Sequence, residues 1–171
     1  MAVPKMKRSE VLNTLQANGV DLGTEKAAIL GIRGYYKRTM GDPLKNDRNL
    51  YDDAIFVISK DRFNAFQANT DPSVFRKGIA TLLPGVYEAV KWRHHGKYAA
   101  LQIETDRLTR DGKTGIDVGR HGINFHYGGI GTWSEGCQTF RKADFTVFQR
   151  LVYELMDRYG LSRIKYVLVE N

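Results

Sequence analysis

Residues 79–103 read IATLLPGVYEAVKWRHHGKYAALQI. Ile79 to Leu83, Val86 to Trp92 and Tyr98 to Ile103 are short runs rich in apolar and β-branched residues. Pro84-Gly85 and His95-Gly96-Lys97 cut between them, so the segment predicts three strands joined by tight turns. Upstream, Ala54-Ile-Phe-Val-Ile58 is a continuous apolar run whose length suits a buried strand better than a helix, and Arg62 to Ala68 follows as another strand. Downstream, Asp111-Gly112-Lys113 and Gly115 to Gly122 read as turns leading into the strand Ile123-Asn124-Phe125. Ile164 to Val169 is a final strand. One strong helix interrupts the series: Phe145, Phe148, Leu151, Val152, Leu155, Met156 and Tyr159 recur at helical spacing, with Arg158 in the last turn and Gly160 closing it. Many short strands with one late helix predict a mainly β (α+β) domain, a sandwich or open barrel carrying one packed C-terminal helix.

Residues 1–50 read as a partly helical N-terminal extension. Ser9 to Asn18 predicts a helix with Val11, Leu12 and Leu15 on one face, ended at Asn18-Gly19. Thr24 to Arg33 predicts a second, weaker helix from a Thr24 N-cap. Residues 31–53 read as irregular, and Tyr51-Asp52-Asp53 before the first long strand reads as a solvated turn rather than a catalytic acid pair.

The chain has 171 residues, enough for one domain with a sizeable core. With 42% hydrophobic residues, disorder throughout is excluded. A single cysteine, Cys137, forms no internal disulfide and cannot anchor a Cys-rich zinc module. No run approaches the roughly 18 apolar residues of a membrane span. Met-Ala-Val-Pro-Lys-Met-Lys-Arg opens the chain without an apolar stretch behind it, so no signal peptide is expected. Lys and Arg number 26 against 19 Asp and Glu, a net +7. That charge favours polyanions by steering, but the basic residues are scattered and no nucleic-acid-binding motif accompanies them, so no specific nucleic acid is expected.

The chemistry concentrates in Gly122-Ile-Asn-Phe-His126-Tyr-Gly-Gly-Ile-Gly-Thr-Trp-Ser134-Glu-Gly136-Cys137-Gln138. An apolar strand delivers His126, and a Gly-rich loop separates it from Cys137. A thiol is only slightly ionised at neutral pH, and a neighbouring imidazole that takes its proton makes it a usable nucleophile. Against this stand two blander readings, a cysteine serving as a small buried hydrophobe and a histidine hydrogen-bonded in the core.

Papain-like peptidases place Cys before His, whereas here His comes first. A strand ending in His, a Gly-rich loop and then Ser-x-Gly-Cys resembles the catalytic segment of the L,D-transpeptidase (YkuD-like) family. The matching residues are Ile123, Phe125, His126, Gly128, Ser134, Gly136 and Cys137. Glu135 replaces the family's common histidine, and Thr139 stands at its usual arginine, for which Arg141 is the candidate substitute. The short loop and the Gly-Cys-Gln ending are similar to the divergent phage-encoded and effector-type branch.

The resemblance implies an L,D-transpeptidase-like catalytic domain over residues 51–171 that acts on diaminopimelate-type peptidoglycan stem peptides. Cys137 would be the nucleophile and His126 its base, with His121 the alternative base. The N–H groups of Cys137 and of Gly136 or its neighbour would bind the oxyanion. Ser134 would orient neighbouring groups or simply close the loop. Tyr127 and Trp133 would shape the substrate groove or pack the loop onto the core, and Arg141 and His121 would line it. His94-His95 read as exposed turn residues that could reach the same groove. No metal or cofactor is expected. A basic chain of this kind fits a phage endolysin released with a holin, or an effector exported by a secretion machine. It would be made in the cytoplasm and act at the cell wall. Lysis is favoured, with cross-linking or D-amino-acid exchange second and non-catalytic nucleic-acid binding third.

Overall fold

The structure, a computed structural model, describes residues 3–42 and 47–171. Helices α1 (Arg8–Ala17) and α2 (Leu22–Glu25) lead into strand β1 (Ala27–Arg33). Strands β2 (Asp53–Ser59), β3 (Phe63–Ala68), β4 (Ala80–Leu82), β5 (Gly85–His94), β6 (Tyr98–Ile103), β7 (Asp106–Arg110), β8 (Ile116–Gly119), β9 (Asn124–Tyr127) and β10 (Gln138–Phe140) follow. Helix α3 (Lys142–Arg158) and strand β11 (Ile164–Glu170) end the chain. No helix among the described residues is long and apolar enough to cross a membrane.

Eight strands form one sheet in the order β10-β9-β6-β5-β11-β1-β2-β3. Its two edges come back together just beyond β3. The Asn69 N–H donates to Thr139 O at 2.9 Å, and the Thr139 N–H donates to Asn69 O at 2.8 Å. The sheet is therefore a nearly closed barrel, and the mainly β expectation holds in that form. Strands β4, β7 and β8 make a small antiparallel sheet.

Thr24 to Arg33 is not a helix. Ala27–Arg33 is a strand in the main sheet, parallel to β11 and antiparallel to β2. Every residue of it is buried, because both faces are covered. Ala27 and Ile29 point to the core that α3 fills, while Ala28, Leu30 and Ile32 point to a second layer under α1. A run that is apolar on both faces carries no alternation, so periodicity cannot separate it from a buried helix. Gly31 marks the strand's tightest point: a Cβ there would stand 2.5 Å from the Tyr166 hydroxyl.

Helix α3 buries Phe145, Phe148, Leu151, Val152, Leu155 and Met156. Phe148 stacks on Phe140 at 4.5 Å and on Phe125 at 5.5 Å, tying the helix to the edge strands that carry the site. Three strands lie where turns or nothing regular were read: β7, β8 and β10. β7 is short and largely polar, β8 is a four-residue strand lying mostly exposed, and β10 has three residues.

The solvated-turn reading of Asp52-Asp53 fails as well, since both carboxylates are wholly buried. Asp53 accepts from the Gly34 N–H and from the N–H and Oγ1 of Thr70, and Asp52 accepts from the Asp47 N–H. Burial, with Asp71 and Asp52 close by, raises the Asp53 carboxyl to about 7. Burial raises Asp52 to about 6. These carboxylates satisfy backbone donors at the strand ends, which turn chemistry in water would leave to solvent.

Helix α1 covers the outer layer through Val11 and Leu15, both fully buried. Leu15→Ala is expected to cost about 2–5 kcal/mol, read as a lower urea midpoint at unchanged slope. An unchanged midpoint would mean that α1 is not part of the cooperative core.

Candidate active site

Strand β9 alternates. Phe125 points into the core, and Asn124 and His126 point to the other face. Strand β10 runs parallel beside it, with Gln138 opposite Phe125 and Thr139 opposite His126. One residue back, this register sets Cys137 beside Asn124, whose backbone N–H donates to Sγ at 3.3 Å. His126 is the next residue on the same face of β9, one diagonal step from Cys137. No hydrogen bond joins thiol and imidazole among the described residues. Both line a cavity of about 600 Å³, together with His94, His121, Asn124 and Trp133.

The two groups rest neutral. Desolvation pushes the Cys137 thiol up to about 11, eased by the Asn124 N–H and reinforced by Asp106 and Glu135. Burial depresses His126. A carbonyl only accepts, so the 2.9 Å contact of His126 Nδ1 with Tyr127 O puts the proton on Nδ1. Nε2 is left with its lone pair, the state a general base needs.

Ser134 and Gly136 shape the turn that presents the thiol. Ser134 Oγ accepts from the Gly136 N–H at 2.9 Å and donates to Cys137 O at 2.8 Å. The Gly136 N–H is thereby engaged within the loop, a correction to its expected oxyanion role. Gly136 has φ +137°, and a Cβ there would lie 2.7 Å from Ala80 O. The residue must be glycine for the turn to pass β4 this closely.

Residues before β2 strap the rest of the Gly-rich loop. The Tyr51 hydroxyl lies 3.1 Å from Gly131 O and 3.1 Å from Phe140 O. Thr132 Oγ1 donates to Arg48 O at 2.9 Å. From the next loop, the Ser73 N–H donates to Ser134 O, and the Ser134 N–H donates to Ser73 Oγ.

Other expected site residues fall in different places. Trp133 stands exposed at the cavity wall. Tyr127 turns inward, stacked on Tyr98 at 4.7 Å and packed beside Phe145, so it serves the core. Arg141 donates to Gln67 and lies over the Tyr51 ring, outside the cavity lining. Glu135 pairs with Arg76 at the surface. His121 does line the cavity, because Gly122 at φ +79° breaks the strand before β9 begins. Its ring Nε2 is 3.8 Å from Asp106, which also accepts its backbone N–H.

His94 is the largest correction. It ends β5 rather than sitting in an exposed turn, and only 9% of it is accessible. Its ring stacks on His126 at 4.3 Å, and its Nδ1 contacts Asn124 Nδ2 at 2.9 Å. Asn124 was missed too, although a polar residue two before His126 on an apolar strand shares its face by alternation alone.

Fold and site define a barrel-like β protein with a thiol and two stacked imidazoles in one cleft. Comparison with family models, curated proteins and solved structures finds no significant match to this chain.

A neutral thiol reacts through its small ionised fraction. Alkylation of Cys137 by iodoacetamide is expected to be slow at pH 7 and to rise about tenfold per pH unit up to pH 10. A fast, pH-independent rate below pH 7 would instead reveal a preformed thiolate. Gly136→Ala is expected to cost about 1–3 kcal/mol and to slow that alkylation, both read on the same purified variant.

Proposed function

We propose that the chain is a cysteine hydrolase of peptidoglycan stem peptides, of L,D-transpeptidase-like type, serving in lysis as an endolysin or a delivered effector. The observation that carries the reading is the shared cleft. Cys137 Sγ receives the Asn124 N–H at 3.3 Å, and His126 on the same strand keeps Nε2 as an acceptor. The Ile-x-Phe-His and Ser-x-Gly-Cys segments add the family resemblance, and the net +7 suits an anionic envelope.

In the reaction, Sγ attacks the amide carbonyl as its proton passes to His126 Nε2. The carbonyl π electrons move onto oxygen, which the Cys137 N–H stabilises. Collapse breaks the C–N bond, the departing amine takes the proton from His126, and a thioester remains. Water then attacks the thioester with His126 as base, releasing a carboxylate and restoring the thiol. An amine in place of water would give cross-linking or exchange.

Mass analysis of diaminopimelate-type muropeptides after incubation under reducing conditions tests this. Loss of a terminal D-residue or cleavage of a cross-link is expected; amino-acid exchange would instead favour the transpeptidase. Cys137→Ala is expected to abolish the change, and His126→Ala to slow it by about 10²–10⁴-fold. Unaltered masses with the wild-type protein would refute the hydrolase.

A further inference from the structure

Beyond the thiol and its base, a chain of side chains runs out of the cleft. Arg120 Nε and Nη2 donate to Gln102 Oε1 at 2.9 and 2.7 Å. Gln102 Nε2 donates to Asn124 Oδ1 at 3.1 Å. Asn124 Nδ2 meets His94 Nδ1 at 2.9 Å.

Arginine has donors only, so it fixes the direction of every link. The Gln102 oxygen must face Arg120, which leaves its amide hydrogens for the Asn124 oxygen. Asn124 therefore turns its own NH₂ to His94, and His94 Nδ1 must accept. The His94 proton is then on Nε2, the ring's remaining polar atom. Arg120 is itself held over the Trp92 ring at 5.0 Å, and Gln102 and Asn124 are buried. The chain is thus a rigid device for setting one tautomer. Burial, with His126 and His95 close by, depresses His94 to about 4, so the ring stays neutral at working pH.

Acyl transfer to a thiol develops negative charge on the carbonyl oxygen, and sites for that step gather donors around it. Here one expected donor, the Gly136 N–H, is committed to Ser134. The geometry points to His94 as the replacement: its Nε2–H, fixed by Arg120, Gln102 and Asn124, donates to the oxyanion while stacked His126 takes the thiol proton. This assignment rests on the reading of Cys137 as an acyl-accepting nucleophile. It needs no particular natural substrate.

Two small probes test it without peptidoglycan. With p-nitrophenyl acetate, Sγ attacks the carbonyl, its proton passes to His126, and p-nitrophenolate leaves an acetyl thioester behind. Iodoacetamide alkylates the same thiol by displacing iodide, and no oxyanion forms.

Gln102→Glu is the informative variant. Glutamate keeps the partnership with Arg120 but only accepts, so Asn124 must turn its NH₂ toward it and present its oxygen to His94. The His94 proton then moves to Nδ1. Histidine ¹⁵N spectra should show His94 as the Nε2–H tautomer in the wild type and as Nδ1–H in Gln102→Glu. Acylation should fall about a hundredfold relative to alkylation. His94→Phe, which keeps a ring against His126 and removes the donor, should give the same fall in that ratio.

A wild-type His94 protonated on Nδ1 would overturn the assignment. So would an unchanged ratio in folded Gln102→Glu and His94→Phe, or a wild-type thiol that alkylates but is never acylated. If these probes behave as expected while muropeptides stay intact, the substrate reading fails and the role of His94 stands.

Discussion

Three residues of parallel pairing, Gln138–Phe140 against Phe125–Tyr127, govern the rest of the molecule. They set the thiol beside the Asn124 N–H, and they place Thr139 where Asn69 can bridge the open edge of the sheet. Neighbouring parallel strands usually need a crossover helix. Here the connection is the Gly-rich loop, which has no regular hydrogen bonding of its own. Its polar groups are met from outside, by Tyr51, Arg48 and Ser73. The stretch before β2 is thus part of the apparatus that holds the site.

Desolvation acts on the Cys137 thiol and the His126 imidazole in one direction. It raises the thiol and lowers the imidazole, so both neutral forms are favoured and no ion pair is stored. Among the described residues, it is the Asn124 N–H that is set to welcome the thiolate. The net +7 adds little at the sulfur: Arg76 and Arg110 on the cleft wall face Glu135 and Asp117, and the charges that act on the thiol are those of Asp106 and Glu135. On the proposed reading, charge separation belongs to the reaction step, where a substrate carbonyl gives the electrons somewhere to go.

Most of the strand series and the late helix can be read from the sequence, since each has either a clear period or turn chemistry at its ends, and the His126–Cys137 segment stands out by its residue types and its glycines. What cannot be read depends on partners far along the chain. Ala27–Arg33 looks helical until α1 and α3 are known to cover its two faces. Asp52 and Asp53 look solvated until Gly34, Thr70 and Asp47 bring their N–H groups. Tyr127 looks like a cleft residue beside a catalytic histidine, yet alternation turns it inward to Tyr98. His94 directly precedes the His95-Gly96-Lys97 turn, and the pairing of β6 with β5 and β9 brings it over His126.

Accounting for the cleft's polar groups makes the remainder informative. The Gly136 N–H goes to Ser134, the Asn124 N–H to Sγ, the Asn124 NH₂ to His94, and the His126 Nδ1–H to Tyr127 O. His121 donates its backbone N–H to Asp106, and its ring Nε2 lies 3.8 Å from the same carboxylate without a hydrogen bond, off the stacked pair. The two stacked imidazoles are left with one lone pair, on His126 Nε2, and one hydrogen, on His94 Nε2. Addition of a thiol to a carbonyl needs both, a place for the proton to go and a donor for the new charge. The stacking keeps the rings from hydrogen-bonding to each other, so both groups stay available for the acyl transfer proposed above.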